Sequence, residues 1–170
     1  EKERAGSYQI EVLAKSKEHE VPITLRFQEL RDEQMQPAHG ELPFFLQENT
    51  VIQFLQYPYE QVVAENFVEI LEKMELINDL SCYEEIYGIL KKEALDGRKV
   101  EQQIIEIGTK RELFFGKDRL DTVLHYKDYT YMKRKWTAYL KRERKKDPDW
   151  VEVMTLLEAF FPPVWRAIIR

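Results

Sequence analysis

In the first third of the chain, apolar and polar residues alternate with the two-residue period of a half-buried strand. From Tyr57 onward they recur every three or four positions, as on one face of a helix. Tyr8–Leu13 (Tyr-Gln-Ile-Glu-Val-Leu) and Val21–Phe27 (Val-Pro-Ile-Thr-Leu-Arg-Phe) predict two extended segments. The polar Lys15–Glu20 between them predicts a hairpin connection, longer than a tight turn and without Gly. Gln28–Pro43 is charged and holds Pro37, Gly40 and Pro43, so it reads as surface loop; Val51–Leu55 reads as one further short strand. Three strands allow a small sheet at most.

The change of period falls in Tyr57–Leu90, the stretch on which the rest of the chain hangs. A first helix opens at Pro58, whose fixed φ and missing N–H suit the first helical position. It carries Val63, Phe67, Ile70 and Met74 on one face, with Glu60, Glu65, Glu69, Glu72 and Glu75 turned away. A second helix starts at Ser81, where Ser81-x-x-Glu84 has the form of a capping box, and presents Tyr83, Ile86, Tyr87 and Leu90. Beyond it the helical pattern breaks at Asp96-Gly97, Phe115-Gly116 and Asp147-Pro148. Arg98–Glu112 presents Val100, Ile104 and Ile107, and Tyr129–Lys146 presents Tyr129, Met132, Trp136, Tyr139 and Leu140. Asp149 caps a last helix with Val153, Met154, Leu157 and Phe160, which Pro162-Pro163 is expected to interrupt. The expected architecture is α+β, a small antiparallel sheet followed by a helical bundle. It forms one domain over 1–170, strand-rich in 1–56 and helical in 57–170.

Composition narrows the function classes. With 170 residues, 44% of them hydrophobic, the chain can bury a core of ordinary size. Cys82 is alone, so there is no intramolecular disulfide and no disulfide-linked partner is expected. No run of about 18 apolar residues occurs and Glu1-Lys2-Glu3-Arg4 is no signal peptide, which predicts a soluble, cytoplasmic protein away from the membrane. The first residue is not Met, consistent with a fragment of something longer. His19, His39 and His125 lie far apart without ligand spacing, and no metal site is expected from them. Asp147-Pro148-Asp149 has the spacing of an Asp-x-Asp pair, but its place ahead of a helix favours turn and N-cap. Cys82 lies beside a helix start, where the dipole would favour a thiolate, but a small residue at a buried helix start is the better account. No phosphate-binding Gly-rich loop or nucleophile elbow is present, and no cofactor is evident.

Charge adds one local feature. Lys133, Arg134, Lys135, Lys141, Arg142, Arg144, Lys145 and Lys146 face Glu143 alone between residues 133 and 146. That is a local charge of +7 on a chain whose net charge is −5, so the remaining residues carry −12. A basic helix on an acidic protein is the electrostatic footprint expected for a phosphate backbone. Lys133, Arg134, Lys141, Arg142, Lys145 and Lys146 are the candidate nucleic-acid-binding residues. Trp136 and Tyr139 are candidate stacking groups, though their place on the apolar stripe favours the core.

The order of these features resembles a family. Val21–Phe27, a Pro-containing loop, Leu42-Pro43-Phe44-Phe45-Leu46 and Tyr57-Pro58-Tyr59-Glu60-Gln61-Val62-Val63-Ala64-Glu65 are similar to the abortive-infection nucleotidyltransferase toxins of the AbiEii/AbiGii type. Trp136-Thr137-Ala138-Tyr139-Leu140 and Phe160-Phe161-Pro162-Pro163-Val164 resemble that family's tail, and the likeness spans most of residues 21–165. It implies a nucleotidyltransferase-like fold, Mg²⁺ as cofactor if the chain is active, tRNA as a kind of acceptor, and a protein partner such as an antitoxin. On this likeness Glu65, Glu84 and Glu85 are the candidate catalytic residues. The departures fall on those same segments. The family's lysine after Ala-Glu falls on Asn66, and its Lys-Asp-x-Tyr-Asp falls on Glu84-Glu85-Ile86-Tyr87-Gly88. Gly6-Ser7 is not followed by the carboxylates that would hold a metal. Two expectations follow: a degenerate or truncated member that acts by binding RNA or a protein, or part of an active Mg-dependent enzyme that modifies tRNA.

Overall fold

The computed structural model describes residues 7–16, 19–28, 37–43 and 50–170, and the chain forms two compact units, 1–36 and 37–170. In the first unit, β1 (Ser7–Ser16) and β2 (His19–Gln28) pair antiparallel from Ser7↔Gln28 to Ser16↔His19. Pairing therefore runs through most of the expected Lys15–Glu20 turn and leaves only residues 17 and 18 between the strands. Directly opposed residues share a face. The register thus sets Ile10 beside Leu25, Val12 beside Ile23 and Ala14 beside Val21 on one side, with Glu11 beside Thr24 and Lys15 beside Glu20 on the other. Lys15 and Glu20 form an ion pair at 2.7 Å. The apolar side is open to solvent, with Ile10, Val12, Val21, Ile23 and Leu25 all exposed.

The second unit begins with another antiparallel pair, β3 (Ala38–Pro43) and β4 (Val51–Gln56), in register from Ala38↔Gln56 to Pro43↔Val51. Two corrections follow. Residues 38–43 are strand, not loop, and the strands form two separate two-stranded sheets instead of one three-stranded sheet. Ala-His-Gly-Glu-Leu-Pro has little strand propensity of its own, so its conformation comes from the ladder offered by the β-prone Val51–Leu55. Gly40 explains part of the fit. It lies opposite Phe54, and a Cβ there would come within 2.7 Å of the ring's Cζ, so only glycine lets the ring lie over the neighbouring strand.

Six helices follow: α1 (Tyr59–Lys73), α2 (Ser81–Lys92), α3 (Gly97–Lys110), α4 (Lys117–His125), α5 (Thr130–Arg142) and α6 (Trp150–Ile168), with a single 3-10 turn at Met74–Leu76. Their apolar stripes meet in one core, within which α1 packs on α2 and α3, and α6 packs on α2, α3 and α4. Phe67 of α1 stacks on Phe161 of α6 at 3.7 Å between ring centres, and Trp165 meets Phe67 edge-on. Pro162-Pro163 does not interrupt α6, contrary to the expectation. Proline removes one N–H and crowds the preceding turn. Here Phe161, Val164 and Trp165 on either side are buried, and that packing holds the helix through to Ile168.

The helix ends differ from the sequence pattern in instructive ways. Pro58 is the N-cap of α1 and not its first residue. The Ser81/Glu84 capping box does not form: Asp79 Oδ1 accepts from Ser81 N at 3.0 Å, and Glu84 is used elsewhere. Asp96 and Asp149 cap α3 and α6 by accepting from Arg98 N (2.9 Å) and Glu152 N (2.8 Å). Both α3 and α5 end in a Schellman motif. Leu113 N–H donates to Gly108 and Glu112 N–H to Thr109, while Lys145 N–H donates to Leu140 and Arg144 N–H to Lys141. The left-handed position is filled by Glu112 (φ 54) and Arg144 (φ 56), where glycine is usual. No helix among the described residues is long and apolar enough to cross a membrane.

Candidate nucleic-acid interface

Helix α5 is positioned by its apolar stripe. Met132, Trp136, Tyr139 and Leu140 are buried, Trp136 stacks on Tyr139 at 5.2 Å, and Trp136 Nε1 donates to the Pro148 carbonyl at 2.9 Å. Both aromatics are therefore core residues and not stacking groups. Their burial fixes which side of α5 faces solvent, and Arg134, Thr137, Ala138, Lys141 and Arg142 lie on that side.

Four of the eight cations have partners within the molecule. Lys135 Nζ donates to the carbonyls of Glu75 (3.1 Å) and Ile77, closing the turn after α1. Lys145 pairs with Glu84 at 2.6 Å, Arg142 Nε with Glu143 at 3.0 Å, and Lys133 with Asp128 at 3.7 Å. Arg134, Lys141, Arg144 and Lys146 are exposed and have no acidic partner among the described residues. The +7 of the sequence thus shrinks to a set of four unengaged cations. Arg134 and Lys141, seven residues apart, share one face of α5, while Arg144 and Lys146 continue past its C-terminus. At the opposite end, Tyr129 and Tyr131 are each 47% exposed, with ring centres 5.8 Å apart. Tyr129 was expected on the buried stripe. It instead caps the helix with extended backbone, which takes its ring out of helical phase.

Of the candidate catalytic carboxylates, Glu84 and Glu85 take different hydrogen-bond partners. Glu84 Oε2 accepts from Tyr139 Oη at 2.5 Å while its Oε1 takes Lys145, and Glu85 Oε2 accepts from Asn66 Nδ2 at 2.8 Å. Asn66 and Glu85, which stand where the resemblance expects a lysine and an aspartate, are joined by a neutral amide-to-carboxylate hydrogen bond. Glu65 is half-buried on α1. The Glu84 arrangement recurs twice. Tyr87 Oη donates to Glu152, with Lys91 Nζ 2.6 Å from the same hydroxyl and 3.1 Å from the carboxylate. Tyr126 Oη donates to Glu75 Oε2 at 2.8 Å, near Lys135. In each case a tyrosine reaches from the core edge to a glutamate on another element, with a lysine beside it. These contacts clasp α2 to α5, α2 to α6, and the turn after α1 to the end of α4. The hydroxyl of Tyr87 holds Glu152 below the usual carboxylate range, with Lys91 adding to it. Burial, and then Glu84, pushes the Tyr139 hydroxyl up.

The remaining candidates are structural. Cys82 is buried with Sγ 3.4 Å from the Asp79 carbonyl, and burial pushes its thiol up, away from thiolate chemistry. His19 and His39 are exposed, and His125 Nδ1 lies 2.7 Å from the Asp121 carbonyl. Asp149 serves as the N-cap of α6. Among the described residues no group of three or more His, Cys, Asp or Glu side chains is placed to hold a metal ion. No protein-family model, curated protein or solved structure matches the chain.

Proposed function

We propose that this chain is a nucleotidyltransferase-like protein that acts by binding, with the exposed side and C-terminal end of α5 holding the sugar-phosphate backbone of RNA. The observation that carries the reading is the set Arg134, Lys141, Arg144 and Lys146: four exposed cations without acidic partners among the described residues, on a chain of net charge −5. Lys92, Lys99 and Lys117 are also exposed without an acidic partner among the described residues; what sets these four apart is that they cluster within residues 134–146, on one side of α5 and the turn after it. Binding is favoured over nucleotidyl transfer because the carboxylates such a reaction would use have other work. Both Glu84 oxygens and Glu85 Oε2 accept hydrogen bonds that tie helices together.

Phosphate contacts release counterions, so binding of labelled RNA should weaken steadily as salt rises. Four contacts predict a slope of about −2.8 on single strands and about −3.6 on duplex in a log–log plot of affinity against salt. Anisotropy titrations check this. Replacing Arg134, Lys141, Arg144 and Lys146 together by Glu should remove binding, and each single Ala change should reduce the slope by about 0.7 to 0.9. Equal affinities of the wild type and the fourfold variant at low salt would end the proposal.

A further inference from the structure

We infer that the RNA segment held by α5 is unpaired, with its bases stacked on a tyrosine ladder at the helix's N-terminal end; this rests on the phosphate-binding reading above. The ladder is Tyr126, Tyr129 and Tyr131, with ring centres 6.0 Å apart for the first pair and 5.8 Å for the second. Its inner rung is anchored, since Tyr126 is buried and hydrogen-bonded to Glu75. The outer two rungs are about half exposed, so their rings are within reach of a ligand.

The setting favours nucleotides over an apolar partner. Lys135 Nζ, itself fixed by two carbonyls, lies over one face of the Tyr131 ring, 5.2 Å from its centre, where it adds positive potential. Of the neighbouring cations, Lys127 pairs with Glu158 and Lys133 with Asp128, which leaves Arg134 exposed beside the carbonyl-bound Lys135. Arg134 and Lys141 follow Tyr131 three and ten residues on, along one helix face, so ring and cations form a stripe about 15 Å long. A cationic track that leads to open aromatic faces is the arrangement by which proteins hold single strands: phosphates follow the charges while bases stack on the rings. Duplex RNA, whose bases are already stacked on one another, can use only the track.

The test compares an unpaired oligoribonucleotide of about 12 residues, within the site sizes of single-strand binders, with a duplex of equal length. Wild type should prefer the single strand. Tyr129→Ala with Tyr131→Ala should weaken single-strand binding about 25-fold or more, leave the salt slope unchanged and leave duplex binding as it was. Tyr129→Phe with Tyr131→Phe keeps the rings and should bind as wild type, which separates stacking from hydrogen bonding by the hydroxyls. An unchanged circular dichroism melt shows that each variant is folded. If the alanine pair binds single strands as wild type does, or loses both ligands equally, the stacking inference is wrong while the phosphate reading stands. If wild type binds neither ligand at low salt, both fall. Equal binding of single-stranded DNA and RNA would support stacking, which does not read the 2′-hydroxyl.

Discussion

Tyrosine hydroxyls decide much of the local energetics, and their partners differ sharply. Tyr83 is fully buried, meets Trp150 edge-on at 5.0 Å, and has no hydrogen-bond partner for its hydroxyl among the described residues. A buried polar group left unpaired costs about 1 to 3 kcal/mol. Tyr83→Phe is therefore expected to raise stability by about 1 kcal/mol in urea unfolding, since only the unpaired oxygen is removed. Tyr139→Phe should do the opposite. It strips the 2.5 Å hydrogen bond from Glu84 and leaves that carboxylate with Lys145 alone, a loss of about 1 kcal/mol at this partly exposed site. If the two phenylalanine variants shift the midpoint in the same direction, the assignment of partners is wrong. The same scale explains why Glu84 was misread from sequence. Three residues after Ser81 it fits a capping box, but a tyrosine and a lysine 55 and 61 residues away take its oxygens.

Among elements, two helical glycines with the same sequence appearance have opposite surroundings. Gly88 lies in the middle of α2, where an added Cβ would meet nothing within 4 Å. Gly108 lies in the last turn of α3, where an added Cβ would run into the ring of Phe115. Alanine at either site gains about 1 kcal/mol of helix propensity. At Gly88 nothing opposes that gain, so Gly88→Ala should stabilise by about 1 kcal/mol. At Gly108 the ring must move, and Phe115 is packed against Trp165 at 5.8 Å between ring centres. Overpacking of that kind costs about 1 to 3 kcal/mol, so Gly108→Ala should leave a net loss. Thermal melts of the two variants check the signs; a stabilised Gly108→Ala would mean that Phe115 moves at little cost. Helix ends tell a similar story. Both Schellman motifs form without glycine, because Leu113 and the buried end of α5 hold the chain where Glu112 and Arg144 must accept positive φ.

At the scale of the whole molecule, the clasps predict how stability depends on pH. Glu75 is held below the usual carboxylate range by a backbone hydrogen bond and then by Tyr126; Glu152 is held there by Tyr87 and then by Lys91. A lowered folded value contributes stability above the unfolded carboxylate value of about 4.3 and loses it as pH falls through the folded one. Tyr83, Tyr126 and Tyr139 are pushed up by burial, and Lys91 is pushed up by Tyr87 and Glu152. Raised values contribute below about pH 10 and are lost as pH climbs through them. The expected profile is a plateau from about pH 5 to 9 that falls on both sides. Urea midpoints across pH test it, and a steady slope through neutrality would contradict it.

What the sequence by itself determined is the part governed by near neighbours. The 3.6-residue stripes found Val63, Phe67, Ile86, Ile104, Trp136 and Leu157 for the core, and the expected cap Asp149 stands where side chain and amide are three residues apart. The β-prone Val51–Leu55 and the hairpin strands were legible for the same reason. Tertiary structure decided everything that needed a distant partner. It made a strand of Ala38–Pro43 through β4, carried α6 through two prolines, withdrew Glu84 from its cap, and turned Tyr129 outward. It also sorted the basic run, because a lysine's charge is written in the sequence but its partner is not. Lys135 and Lys145 found theirs 58 or more residues away, and Arg134, Lys141, Arg144 and Lys146 were left facing solvent. The physical reason is one of range: propensity and periodicity act within a turn or two, while hydrogen bonds and burial act between whichever elements the core brings together.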